Sequence, residues 1–131
     1  MNTTQRGFTI IELLFIIVLL GAASILFFVQ KNNVEVAGRD ETRKTAINAM
    51  YYGLEEVYYK AHNGYPRTID ETVLPSVDPE LFKDPTGVKL GEANSEYRYE
   101  AVNCENDSCK SYTLRTVLEN EADFVKESRN K

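Results

Sequence analysis

The sequence has few of the residues that enzymes and metal sites most often use. Its 131 residues include one histidine (His62), two cysteines (Cys104 and Cys109) and no tryptophan. These side chains cannot supply a zinc site at the usual cysteine and histidine spacings. No nucleophile, base and orienting residue can be assembled from the sequence. We therefore expect no enzymatic activity, no metal and no cofactor.

Clustered positive charge is also missing. Fifteen lysines and arginines face twenty aspartates and glutamates, for a formal net charge of −5, and no basic run or basic face occurs. Nucleic-acid binding depends on a basic patch, so no specific nucleic-acid site is expected. The length leaves room for one small domain and an appendage.

Proline is absent before Pro66, and charge is nearly absent from the 22 residues Phe8–Val29. The polar members of this run are Thr9, Glu12 and Ser24. As a helix the run would be roughly 33 Å long, enough to cross a bilayer core. A polar leader, residues 1–7, precedes it. Signal-peptide cleavage near Ala23 is an alternative, but the apolar run continues past that point.

From Gln30 the composition turns polar, and residues 30–64 predict an amphipathic continuation of the same helix. Two charge pairs at i,i+4 spacing, Asp40–Lys44 and Glu56–Lys60, indicate a solvated surface. Apolar residues recur at steps of three and four, which predicts one buried stripe: Ile47, Met50, Leu54, Val57 and Ala61. Asn63 and Gly64 are typical of a helix C-terminus.

Residues 65–131 predict a loop followed by a small antiparallel sheet, so the fold class is α+β. Asp78-Pro79 suggests a capped helical turn, and Asp84–Gly87 suggests a tight turn. Alternating segments predict strands at 95–103 and 111–118, with a third near 122–125. Between the first two strands, Cys104 and Cys109 are expected to form a disulfide that closes a hairpin loop.

Three features that could suggest binding, modification or catalysis have simpler explanations. The acidic residues at 78–84 and 92–96 lack a fixed calcium-ligand spacing, so a solvated loop is preferred to a calcium site. The sequence Asn106-Asp107-Ser108 fits a glycosylation sequon, although such short matches are frequent. His62, at the helix end, is interpreted as a solvated or dipole-favoured side chain.

Glu12 is the most informative residue of the apolar run. A carboxylate within a membrane segment costs a few kcal/mol unless it is paired or held inside a protein bundle. Glu12 could instead reach the lipid headgroups. The run itself contains no cation, but cutting the chain just before Phe8 would create one, as a free amine.

The stretch from Arg6 to Leu14, RGFTIIELL, resembles the N-terminal signature of type IV pilins and of the pseudopilins of type II secretion. The resemblance extends more loosely over the whole chain. It implies cleavage between Gly7 and Phe8 by a prepilin peptidase and methylation of the Phe8 amine. It also implies that Glu12 pairs with the Phe8 amine of a neighbouring subunit during assembly.

The function that this resemblance implies is structural. The chain would be stored in the cytoplasmic membrane, with its C-terminal domain outside, and then assembled into an extracellular pilus. Its partners would be membrane lipid, further copies of itself, minor pilins, the peptidase, an assembly ATPase and a platform membrane protein. Two alternatives stay open, namely a type II secretion pseudopilin and a single-pass anchored binding domain that never polymerises. Many pilins have a proline near the end of the membrane segment; none occurs here, so we expect a continuous helix across Val29.

Overall fold

The computed structural model describes residues 7–131, which divide into two compact units. The first unit ends at Glu35 and the second comprises Val36–Lys131. Helix α1, Ile10–Tyr52, contributes to both units. It runs without interruption through residues 27–31, as the missing proline predicts. The leader predicted for residues 1–7 lies outside the described residues except for Gly7.

The first unit consists of the apolar part of α1 and the three residues before it. Its large apolar side chains are exposed, and none of the most apolar 18-residue window of the helix is buried. A soluble domain would have to cover such a surface. The helix is long and apolar enough to cross a membrane, by length and composition.

The second unit has one hydrophobic core, between the later turns of α1, the sheet and the connecting loop. Ala46, Ile47 and Met50 enter it from α1. The sheet and the loop contribute large side chains that are also buried: Tyr97, Tyr112 and Leu114 from the sheet, and Tyr65, Leu74 and Phe82 from the loop. The long loop is therefore part of the core rather than a surface connection.

The predicted α-helical stripe is correct as far as Leu54 and wrong beyond it. Gly53–Tyr58 forms a π-helical segment, followed by the short helix α2, Tyr59–His62. A π-helical turn holds more residues than an α-helical turn, so the buried face shifts along the sequence. Val57 is 48% exposed and Ala61 is exposed, whereas Glu55 is buried.

The approach of the loop to Gly53 accompanies this change of helix type. A Cβ atom at Gly53 would lie 2.8 Å from Cγ2 of Val77. Glycine is thus required by the close packing of the loop on the helix. The helix ends as predicted, because Asn63 adopts a left-handed conformation (φ 54°) and donates its N–H to the carbonyl of Tyr59.

Both predicted turns of the loop are present. Asp78 caps a 3₁₀ turn, Pro79–Phe82, by accepting a hydrogen bond from the N–H of Glu80 at 3.0 Å. Gly87 closes the Asp84 turn with a positive φ of 90° and an N–H bond to the Asp84 carbonyl.

The sheet is antiparallel with the order β1-β2-β3. The strands are β1, Tyr97–Glu105, β2, Ser108–Thr116, and β3, Phe124–Glu127. Each is displaced by two or three residues from the predicted span. Because β1 and β2 extend into the hairpin, two residues form the turn, Asn106 and Asp107, instead of the four-residue loop expected between the cysteines. The Cys104–Cys109 disulfide is present, as predicted, and it joins two residues that face each other across the strands.

Candidate functional site

The proposed cleavage and assembly residues lie at the very start of the described chain. Gly7 and Phe8 precede α1 in a non-helical conformation, and both are exposed. Apart from its neighbours in the chain, no described residue has an atom within 4 Å of the position that a Cβ would occupy at Gly7. Among the described residues, none outside the immediate chain neighbours blocks the Gly7–Phe8 bond from a protease. The cleavage hypothesis requires this access, but the access does not test the hypothesis.

Thr9 and Glu12 form a local feature that our sequence analysis missed. The Thr9 hydroxyl accepts a hydrogen bond from the N–H of Glu12 at 3.3 Å, and the Thr9 carbonyl accepts one from the N–H of Leu13. The sequence Thr-Ile-Ile-Glu matches the S/T-x-x-E signal of a helix start. An acidic side chain in the first turn also interacts favourably with the helix dipole. Glu12 thus has a structural role that does not depend on a neighbouring subunit.

Ser24, one of the three polar residues of the apolar segment, satisfies its hydroxyl group within the helix. The hydroxyl of Ser24 donates to the carbonyl of Leu20 at 2.7 Å. This i to i−4 bond leaves no hydroxyl hydrogen to be solvated inside a bilayer or a protein bundle. Glu12 is then the one ionisable side chain between Gly7 and Gln30.

Glu55 is a buried carboxylate in the second unit, with hydroxyl and amide donors instead of a cation. It is 4% exposed and accepts hydrogen bonds from Tyr65 Oη (3.0 and 3.1 Å), Tyr112 Oη (2.9 Å) and the N–H of Arg129 (3.1 Å). Burial, followed by the hydrogen bond to Glu55, raises the pKa of Tyr112, so this phenol stays a donor. The arrangement connects the π-helical segment, the loop, β2 and the end of the sheet.

The sequence pattern does not predict the Glu55 cluster. A continuous α-helix would place Glu55 beside the apolar stripe and not in it. The available signal was Gly53 two residues before a glutamate, in the middle of an apolar stripe. Glu56, the neighbouring residue, does form the predicted exposed pair with Lys60, at 2.6 Å.

A second buried charge cluster ties the segment after β2 to α1. Asp40 and Arg43, each 3% exposed, are 2.9 Å apart, and Arg43 also bonds to Glu119. Asp40 accepts the backbone N–H groups of Glu119 and Asn120. Burial acts to raise the pKa of Asp40, but these N–H bonds and Arg43 outweigh it, and the pKa is lowered.

This cluster contradicts the predicted Asp40–Lys44 pair. Lys44 bonds to Glu121, at 2.7 and 2.9 Å, because Asp40 turns inward toward Arg43. Arg39 forms a two-pronged contact with Glu119, and the hydrogen bonds from Arg39 and Arg43 lower the pKa of Glu119 to about 2. The polar stretch that we interpreted as solvated is therefore partly buried.

Asp84, in the acidic loop, uses its carboxylate to fix the tight turn. Asp84 accepts hydrogen bonds from Thr86, Val88 and Glu96, which fixes the turn. Among the described residues, no group of three or more His, Cys, Asp or Glu side chains is arranged to hold a metal ion. His62 stacks on Tyr58 at 4.1 Å between ring centroids, and its Nδ1 lies 3.0 Å from the Tyr58 carbonyl.

Comparison of the chain with protein-family models, with curated proteins and with solved structures finds no match.

Proposed function

We propose that this protein is the structural subunit of a type IV pilus-like filament. Phe8–Val29 holds the subunit in the cytoplasmic membrane before assembly and forms the filament core afterwards. The observation that carries the proposal is the exposed apolar surface of the first unit, which this chain leaves uncovered among its described residues. Lipid covers it in the first state and other copies of the same helix cover it in the second.

Glu12 connects the two states. Cleavage after Gly7 gives Phe8 a cationic amine at a helix N-terminus, where the dipole disfavours positive charge. Moving that amine into an apolar core is costly without an anion. Glu12, the anion nearest to it in sequence, pairs with the amine of a neighbouring subunit, and a misaligned subunit is rejected because its charges stay unpaired.

The second unit suits the outer part of such a filament. Its core is closed without help from the first unit's apolar residues, since the residues packed in it come from 46–124. Its disulfide fits an oxidising compartment outside the cytoplasm. Prepilin peptidase, an assembly ATPase, a platform protein and minor pilins are the partners that this function requires.

The test is to shear surface filaments from cells, identify this chain in them and measure the intact mass of the mature subunit. We expect a chain that begins at a methylated Phe8. Filaments that lack the chain, together with a membrane pool that keeps residues 1–7, would instead support an anchored domain. A mature chain that begins after Ala23 would refute both the anchor and the core role of the apolar segment.

A further inference from the structure

A polar cavity of about 350 Å³ lies in the second unit where three segments meet. They are the end of α2, the tip of the β1–β2 hairpin and residues 130–131. The volume is at the lower end of the roughly 300–1,000 Å³ typical of small-molecule sites. Four asparagines contribute to its wall: Asn63, Asn103, Asn106 and Asn130.

Three of these asparagines are in the left-handed backbone region. Asn63, Asn103 and Asn106 have φ values of 54°, 55° and 55°, and all three side chains are exposed. Within the described part of the chain, none of these three carboxamides has a hydrogen-bond partner. Asparagine tolerates this conformation better than most residues, but glycine would serve as well. The carboxamides are therefore not needed for the backbone alone.

The frame that holds the carboxamides is rigid. The Cys104–Cys109 disulfide fixes the hairpin tip, and Tyr65 forms two backbone hydrogen bonds to Cys109, at 2.8 and 2.9 Å. Gly64 allows the helix end to approach the tip, because a Cβ there would collide with the Ser108 hydroxyl. Rigid placement lowers the entropy lost when a ligand binds.

The chemistry of the wall identifies the ligand class. Each carboxamide offers two donors and an acceptor oxygen with two lone pairs, which matches hydroxyl groups that donate and accept. Small-molecule sites are mostly apolar, so a wall of this kind suits a ligand that is itself densely hydroxylated. The half-buried ring of Tyr59 adds an apolar surface to the cavity for the C–H face of a ring.

We infer that this cavity is a carbohydrate-binding site. The carboxamides of Asn63 and Asn103 bind sugar hydroxyls, and Tyr59 packs against a sugar ring. Two lysines, Lys110 and Lys131, and one acid, Glu105, line the cavity. The Lys110 ammonium makes no ion pair or hydrogen bond among residues 7–131. This excess of positive charge favours a sugar that bears a carboxylate over a neutral one. The inference does not depend on filament formation.

The experiment uses the ¹⁵N-labelled full chain in a zwitterionic detergent, because sugar-headed detergents would compete. Neutral and uronic-acid-containing oligosaccharides are titrated while the side-chain amide signals of the asparagines are followed. We expect saturable shifts at Asn63 and Asn103, and tighter binding of the uronic-acid series. Inorganic phosphate is titrated separately, and saturation of the same amides by phosphate at equal affinity would overturn the inference.

The matched variants are Asn63→Gly and Asn103→Gly, which keep the positive φ and remove the carboxamide. Each is expected to weaken binding by about 3- to 10-fold, the loss of one or two hydrogen bonds. Asn94→Gly, in a loop outside the cavity, should bind as the unmodified chain does. Lys110→Met should reduce the preference for uronic acids and leave the affinity for neutral sugars unchanged. No saturable shift with any oligosaccharide, or unchanged affinity in the Asn63→Gly/Asn103→Gly double variant, would refute the site.

Discussion

The buried Glu55 carboxylate gives the most direct test of how the second unit is held together. In Glu55→Ala, the hydroxyls of Tyr65 and Tyr112 lose their acceptor inside the core, and the N–H of Arg129 loses one near the surface. A buried donor without a partner costs about 1–3 kcal/mol. Two such hydroxyls lower the free energy of unfolding by roughly 2–6 kcal/mol, a large fraction of the ~5–15 kcal/mol of a typical domain.

Smaller changes at the same cluster keep the experiment informative if Glu55→Ala does not fold. Glu55→Gln retains one acceptor oxygen and should cost about 1–2 kcal/mol, because hydrogen bonds to a charged acceptor are stronger than those to a neutral one. Tyr112→Phe removes one donor and should cost about 1 kcal/mol. Replacing the carboxylate and both phenols together, as Glu55→Leu/Tyr65→Phe/Tyr112→Phe, should recover much of the lost free energy of unfolding. Removing both sides of a buried hydrogen bond is nearly neutral.

Amide hydrogen exchange of β2 measures the free energy of opening without unfolding the apolar segment. The matched control is Glu56→Gln, which alters an exposed carboxylate that bonds to Lys60 and to the Arg129 side chain. It should change protection by no more than about 0.5 kcal/mol. If the β2 amides are equally protected from exchange in Glu55→Gln and in Glu56→Gln, the buried cluster does not stabilise the unit and our reasoning is wrong.

Three further predictions concern assembly, packing and acid stability. Glu12→Ala should reach the membrane but give few filaments, whereas Glu12→Asp should assemble filaments in part. The ratio of the chain in sheared filaments to the chain in the membrane measures this. A normal filament yield from Glu12→Ala would contradict the pairing role. Gly53→Ala should destabilise the second unit by about 1–3 kcal/mol through its clash with Val77, while Gly38→Ala, with open space around it, should stabilise α1 by up to ~1 kcal/mol in the same exchange experiment. Glu119 has a pKa of about 2 in the folded chain against a usual 4.5, so its contribution to stability is present above pH 4.5 and is lost as the pH falls toward 2. In thermal melts between pH 2 and pH 4.5, Glu119→Gln should therefore make the melting temperature depend less on pH. An unchanged dependence would count against the cluster.

Local patterns in the sequence were enough to predict the main elements of the fold. The long helix, its end at Asn63, the hairpin and the cross-strand disulfide all depend on residues close together in the chain. The strand limits differed by two or three residues because pairing continues into the hairpin turn. That extension depends on the positive φ at Asn106, which the sequence pattern did not specify.

Long-range contacts decided what the sequence could not predict. Asp40 is separated from the Glu119 N–H by 79 residues, and Glu55 from the Tyr112 hydroxyl by 57. Periodicity alone assigns such polar residues to solvent, because their partners are unknown until the loop and sheet are placed. For the proposed assembly site the situation is reversed. The motif around Gly7, Phe8 and Glu12 predicts a role that no contact within this chain can display.

The tyrosine contacts around Glu55 also give the protein a built-in optical reporter. The chain has eight tyrosines and no tryptophan, so its near-ultraviolet spectrum comes mainly from tyrosine. Tyr65 and Tyr112 lie 4.7 Å apart between ring centroids, and Tyr59 and Tyr99 extend the cluster. The near-ultraviolet circular dichroism of an unlabelled preparation will therefore report whether the helix, loop and sheet keep their packing when the protein is moved from one environment to another.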